Sequence, residues 1–300
     1  MTIWTRICRA SSDMPQDLRG GFPTHWIRSG AGPRQALLIH CSLGHAGGWS
    51  GMLAGLDDLL NALAFDLPGH GRSGDWDKRG DLQQVSMGMA VDLLEDQAQG
   101  QPVDIIGHSF GGTIALRLAV ERPDLVRSLV LIEPVFFAVG LADRPDLKGP
   151  YDLHMAAYTA ALQAGDMSAA AQAFTSVWGD GRAWDLLPEG QKQAMTKRIH
   201  LIAEGAPAIY DDVAGLLSGG KLERIAVPVL LIEGGTSPEY IDAINTALAR
   251  RIDKSERLAV AGAGHMLPIT HPKAAADAVR AFLQRVPVAC SAQCGPDMDI

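Results

Sequence analysis

The sequence predicts an α/β fold: a mostly parallel central sheet flanked by helices, with an all-helical lid inserted between two of the strands. Three observations carry this. Short apolar runs recur along the chain, each nearly continuous rather than alternating, as expected of strands covered on both faces. Helix-like stretches separate several of them, and strand, helix, strand in that order implies parallel pairing through right-handed crossovers. The rhythm stops between Pro134 and Ile225 and then resumes.

The runs are residues 36–40 (ALLIH), 62–66 (ALAFD), 103–107 (VDIIG), 128–133 (SLVLIE), 229–233 (VLLIE) and 258–261 (LAVA). Helices are expected at 112–121 (GTIALRLAVE) and 242–251 (DAINTALARR). In the interrupting stretch Met155, Tyr158 and Leu162 fall on one helical face and Ala170, Phe174 and Val177 on another, with no strand pattern. The expected organisation is a core of residues 1–134 and 226–286, a helical cap over 135–225, and a loose C-terminal tail over 287–300.

Composition narrows the function classes. A chain of 300 residues, 47% hydrophobic and 20% charged, can bury a substantial core. A formal charge of -8 with no basic stretch argues against nucleic acid, whose binding rests on phosphate neutralisation. Nothing approaches eighteen consecutive apolar residues, and the first twenty lack the apolar core of a signal peptide, so no membrane partner is expected and the default location is the cytoplasm. A homodimer is left open. Cys8, Cys41, Cys290 and Cys294 are too scattered for a disulfide framework and read as free thiols.

The strongest chemical signal is residues 107–112 (GHSFGG), following one apolar run and opening a helix. Glycines on either side let the backbone fold sharply around Ser109, so its hydroxyl projects as a nucleophile; the bland reading, an ordinary glycine-rich turn, does not require the strand before and helix after. A serine hydroxyl needs a base in hydrogen-bond reach. His265, in residues 261–267 (AGAGHML) past the last apolar run, is that candidate. His40, His45, His70 and His108 adjoin other strand ends and are expected to hold loops, while His25, His154, His200 and His271 lie away from strand ends. An oxyanion would be held by the amide of Phe110 at the helix start together with that of Ser42 or Leu43, in the loop after the first run. His40 and His45 lack the carboxylate or thiolate companions of a metal site, so no metal is expected.

These motifs resemble the α/β-hydrolase fold superfamily, and within it the serine-nucleophile hydrolases with a helical cap. The elbow GHSFGG, the histidine loop GAGHM and the turn at 66–73 (DLPGHGRS) occur in family order across residues 22–286. Cys41 stands where the family usually has glycine after the histidine of the first loop. The family often takes its triad acid from the turn after a later strand, where this chain has Ser237. Other members place the acid one strand earlier, and there the chain has Glu133. The resemblance therefore implies a triad of Ser109, His265 and Glu133, with Ser237 as a supporting partner of His265, and no cofactor. Glu233, Asp242 and Asp211 are the other acids considered. An aspartate at the elbow would be needed for dehalogenase or epoxide hydrolase chemistry, so Ser109 counts against both.

The expected activity is cleavage of a small carboxylic ester, lactone or thioester through an acyl-serine. The expected partner is a small molecule with an apolar acyl or aromatic part, contacted by Phe136, Phe137, Trp178, Tyr210 and Met266. Carbon-carbon bond hydrolysis or acyl transfer on the same triad, and ligand binding without catalysis, are the alternatives.

Overall fold

The computed structural model describes residues 17–288. Cys8, Cys290, Cys294 and most of the expected tail lie outside them. A short hairpin, β1 (Asp17–Arg19) and β2 (Phe22–Thr24), precedes a seven-stranded sheet. Its strands are β3 (Trp26–Ser29), β4 (Arg34–Ile39), β5 (Leu60–Phe65), β6 (Val103–His108), β7 (Val126–Ile132), β8 (Val229–Gly234) and β9 (Ser255–Val260), in the order β3-β5-β4-β6-β7-β8-β9. All pair in parallel except β3, which runs antiparallel to β5.

The continuous apolar runs are explained by two cores. Leu37 and Ile39 of β4 belong to one apolar cluster, whereas Ala36 and Leu38 belong to the other, on the opposite face of the sheet. Each residue thus meets a helical layer whichever way the pleat points it. The first cluster includes residues of α2 (Leu82–Gln97), α3 (Phe110–Glu121) and α10 (Glu239–Arg251); the second includes residues of the short α1 (Ser50–Leu53) and of α12 (Pro272–Leu283). β9 departs from the expectation. It closes the sheet at one edge, and its Leu258 is 39% exposed.

Between β7 and β8 the chain forms six α-helices: α4 (Phe137–Asp143), α5 (Lys148–His154), α6 (Ala156–Gln163), α7 (Met167–Trp178), α8 (Glu189–Arg198) and α9 (His200–Tyr210). No strand lies among them. α4 packs on α10, and α9 packs on α2, α3 and α4, which brings these helices against the carboxyl ends of the strands. The short α11 (Leu267–Thr270) follows β9 and leads into α12.

At the other end of the sheet a buried polar knot joins three strands. Asp104 of β6 has no exposed surface. Its carboxylate accepts from Arg34 Nε (2.8 Å) and Nη2 (3.0 Å) on β4, from Arg127 Nε (2.9 Å) on β7 and from the Ser128 hydroxyl (2.7 Å). Burial opposes its charge, but the Arg127 and Arg34 guanidiniums hold it below the usual carboxylate range. Arg34 also donates to the Val286 carbonyl at 2.8 Å, fastening the chain beyond α12. Removing one partner of a buried ion pair leaves the others desolvated and uncompensated. Asp104→Ala is therefore expected to lower the unfolding free energy by about 3–5 kcal/mol in urea titration; a loss below about 1 kcal/mol, the range of an exposed ion pair, would contradict this account.

Candidate active site

Ser109 occupies the single-residue gap between β6 and α3, at φ 55° and ψ −118°. A side-chain-bearing residue reaches that conformation only when its surroundings enforce it. The Ser109 amide donates to the Ile132 carbonyl (3.0 Å), and the Gly112 amide donates back to the Ser109 carbonyl (2.9 Å). The flanking glycines are needed for space: a Cβ on Gly107 would stand 2.4 Å from the Gly111 carbonyl oxygen, and one on Gly111 would stand 2.2 Å from that of Ile39.

His265 and Glu133 converge on this serine. His265, on the loop between β9 and α11, places Nε2 3.0 Å from Ser109 Oγ and Nδ1 2.9 Å from Glu133 Oε2. A carboxylate accepts, so Nδ1 carries the proton and Nε2 is left to accept the serine hydroxyl. Glu133 follows β7 directly, is fully buried, and bends the chain at φ 50°, with its own amide bonded to the Ile232 carbonyl at 2.8 Å. Its second oxygen accepts the Gly234 amide (2.5 Å) and the Ser237 hydroxyl (2.8 Å). Ser237 is thus a partner of Glu133 rather than of His265: the serine in the turn after β8 donates to the acid that arrives from the neighbouring strand.

The other acids are engaged elsewhere or stand apart. Glu233 accepts from Asn245 Nδ2 (2.8 Å) and Arg257 Nη2 (2.8 Å), and Asp242 of α10 accepts from Arg257 (2.7 Å). Asp211, just past α9, lines the adjoining cavity and makes no hydrogen bond to His265.

Of the two amides expected beside Phe110, that of Leu43 is already used. It donates to His70 Nε2 at 3.0 Å, on a residue held at φ 63°. Ser42 remains, and it lines the same cavity as Ser109. Phe110 opens α3, so its amide belongs to the first turn, where no helical carbonyl can receive it.

The loops around the serine are pinned by neutral histidines. His40 donates from Nδ1 to the Cys41 carbonyl (2.7 Å) and accepts the Leu67 amide at Nε2 (3.0 Å). His70 donates to the Pro68 carbonyl (2.9 Å) while accepting from Leu43. His108 donates from Nε2 to the backbone carbonyl of His265 (2.9 Å). Burial lowers His40 to about 4 and both His70 and His108 to about 3. Burial also pushes the Cys41 thiol up to about 12, which leaves it a poor nucleophile.

A cavity of about 760 Å³ opens onto Ser109 and His265. Of the residues expected to contact a substrate, Phe137, Trp178, Tyr210 and Met266 line it. Phe136 does not: it is fully buried in the core. Val135 and Phe137 line the cavity on either side of it, and Phe136, at the N-cap of α4, turns inward. Tyr151, Ile202 and Ile209 also line the cavity, and nothing in their local pattern distinguishes them from the helices' own core. A second cavity of about 440 Å³ shares Ser42, Trp178 and Met266 with the first. Among the described residues no cluster of three or more His, Cys, Asp or Glu could hold a metal ion, and no helix is long and apolar enough to cross a membrane.

The model of the alpha/beta hydrolase family matches residues 36–278. The chain belongs to that family. Among curated relatives, Lipase LipV of Mycobacterium tuberculosis is 29% identical over 262 residues, covering 84% of this chain and 94% of that protein. The pimeloyl-[acyl-carrier protein] methyl ester esterase of Neisseria meningitidis is 29% identical over 268 residues, with coverages of 84% and 93%. Among solved structures, the enol-lactonase from Burkholderia xenovorans superposes with a TM-score of 0.69 at 19% identity, over 90% of this chain and 100% of that one, and so shares the fold.

The histidine shell makes stability acid-sensitive. A histidine whose folded pKa lies below its unfolded value near 6.5 binds more protons when unfolded, so its contribution is fully present above about 6.5 and is lost as pH falls toward 4. The unfolding free energy from urea titration is expected to fall steadily between pH 6.5 and 4.5, by about 1 kcal/mol per pH unit for each such histidine. His70→Gln should flatten the slope whatever it does to stability at pH 7; an unchanged slope would remove His70 from the account.

Proposed function

We propose that the protein is a serine hydrolase that cleaves a small carboxylic ester, lactone or thioester through an acyl-serine intermediate. The observation that carries this is the hydrogen-bonded chain from Ser109 through His265 to Glu133, lying against an apolar cavity. The named activities of the lipase and esterase relatives, both matched over nearly their whole length, favour the same class.

In this reading Ser109 Oγ attacks the substrate carbonyl carbon while His265 Nε2 takes its proton. The carbonyl π pair moves onto oxygen, where the amides of Phe110 and Ser42 hold the developing charge. Collapse of the tetrahedral adduct breaks the bond to the leaving oxygen or sulfur, which receives the proton from Nε2. Water then repeats the sequence against the acyl-serine, giving its proton to Nε2 and, on collapse, returning the acid product and a protonated Ser109. Glu133 stabilises each imidazolium, and Ser237 with the Gly234 amide fixes the carboxylate. Phe137, Trp178, Tyr210 and Met266 would contact the acyl or aromatic part of the substrate.

A serine-directed fluorophosphonate should label the wild type and leave Ser109→Ala unlabelled. Equal labelling of both would defeat the assignment of the nucleophile, and no labelling of either would favour a binder without catalysis. Glu133→Gln puts an amide where a proton acceptor is required, and turnover of a soluble ester should fall by about ten-thousand-fold. Ser237→Ala removes one hydrogen bond to a charged group and should cost about 10- to 100-fold. Near-normal turnover by Glu133→Gln would rule that residue out as the acid.

A further inference from the structure

The larger cavity is apolar close to the triad and acquires hydroxyl groups farther out. Trp178 packs edge-on against His265, with ring centroids 4.8 Å apart and planes at 69°. Phe137 follows Trp178 at 6.1 Å, and Tyr151 and Tyr210 follow Phe137 at 4.5 and 5.2 Å. Three ring contacts therefore separate the imidazole from these phenols. An acyl group with its carbonyl at Ser109 would run along these rings toward the phenols.

The hydroxyls are not self-sufficient. Tyr151 and Tyr210 hydrogen-bond to each other, which uses one of their two O–H protons. The hydroxyl of Tyr158 is sealed from the cavity, so that residue offers the cavity only its other atoms. The other proton of the Tyr151–Tyr210 pair has no acceptor among the described residues and is left for an occupant of the cavity. Burial raises Tyr151 to about 12 and Tyr210 well above its ordinary value, and both stay neutral donors near pH 7.

The charges around the cavity select what they would donate to. Lys148, the one cationic Lys or Arg among its described lining residues, is paired with Asp152 at 2.5 Å and is more than half exposed. Asp152 and Asp211 line the cavity too. A carboxylate would meet two acids and no unpaired cation. A cationic head group would need rings spaced around it, but these aromatics pack on one another. A neutral oxygen meets neither obstacle.

We propose that the hydrogen-bonded pair Tyr151 and Tyr210 forms a subsite for a neutral oxygen acceptor, a ketone or hydroxyl, at the far end of the acyl group, so that the preferred substrates are esters or lactones of oxo- or hydroxyacyl chains. This rests on the hydrolase reading above and specifies its substrate class. The test compares para-nitrophenyl alkanoates of increasing length with a matched series ending in a methyl ketone. At the matching length, wild-type kcat/KM should favour the ketone about ten-fold, the worth of one net hydrogen bond. Tyr151→Phe and Tyr210→Phe should each shrink that ratio, and the double variant should bring it to about one, with thermal unfolding confirming that each variant is folded. A purely structural role would change both series together and leave the ratio alone. No ketone preference at any length, or a preference that survives the double substitution, would overturn the subsite while leaving the hydrolase reading intact. Absence of turnover on both series with no fluorophosphonate labelling would overturn that reading and the subsite with it.

Discussion

A carboxylate without access to solvent must have its oxygens filled by donors, and Glu133 fills them from three pieces of chain at once. One oxygen receives His265, carried on the loop after β9; the other receives Gly234 and Ser237, from the end of β8 and the turn after it. The glutamate itself stands at the end of β7 in a left-handed conformation, its amide bonded to β8. The carboxyl ends of three adjacent strands are therefore registered by one side chain. Moving any of them leaves a buried oxygen unpaired, so the position of His265 over Ser109 is tied to the integrity of the sheet edge as a whole.

The parts of this arrangement written in short, contiguous motifs were legible in the sequence. GHSFGG states much of its geometry locally because the crowding that demands Gly107 arises inside the elbow, against Gly111 and Gly112, while that at Gly111 comes from the end of β4. The apolar runs likewise gave the parallel strands, since burial on both faces leaves a mark inside each strand. The short β3 carries no such mark: WIRS has two polar residues in four, and its pairing with β5 supplies what its own pattern lacks. The helix α2 begins at Asp81, whose side chain caps the Gln84 amide at 2.7 Å, but its Gln, Ser and Gly residues blur the apolar stripe.

Side-chain direction at the site was harder to read. Val135, Phe136 and Phe137 are all apolar, and which of them faces the cavity is decided by how Glu133 turns the chain, not by the residues themselves. Leu43 and Ser42 are equally small steps from β4, and the choice between them is made by His70, twenty-seven residues away in sequence. Ser237 stands where the resemblance would place an acid because alignment compares positions along the chain; in space it stands beside Glu133 and donates to its carboxylate.

The helices between β7 and β8 leave and re-enter the sheet at neighbouring strands. Residues from 135 to 211 provide most of the larger cavity's wall, whereas Ser109, His265 and Glu133 lie outside that segment. On the proposed mechanism, chemistry and selectivity occupy separate stretches of one polypeptide, joined through the few residues from Glu133 to Phe137. A cassette of this kind can be exchanged or diversified as a unit, and new substrate preferences can be sought without disturbing the machinery that breaks the bond.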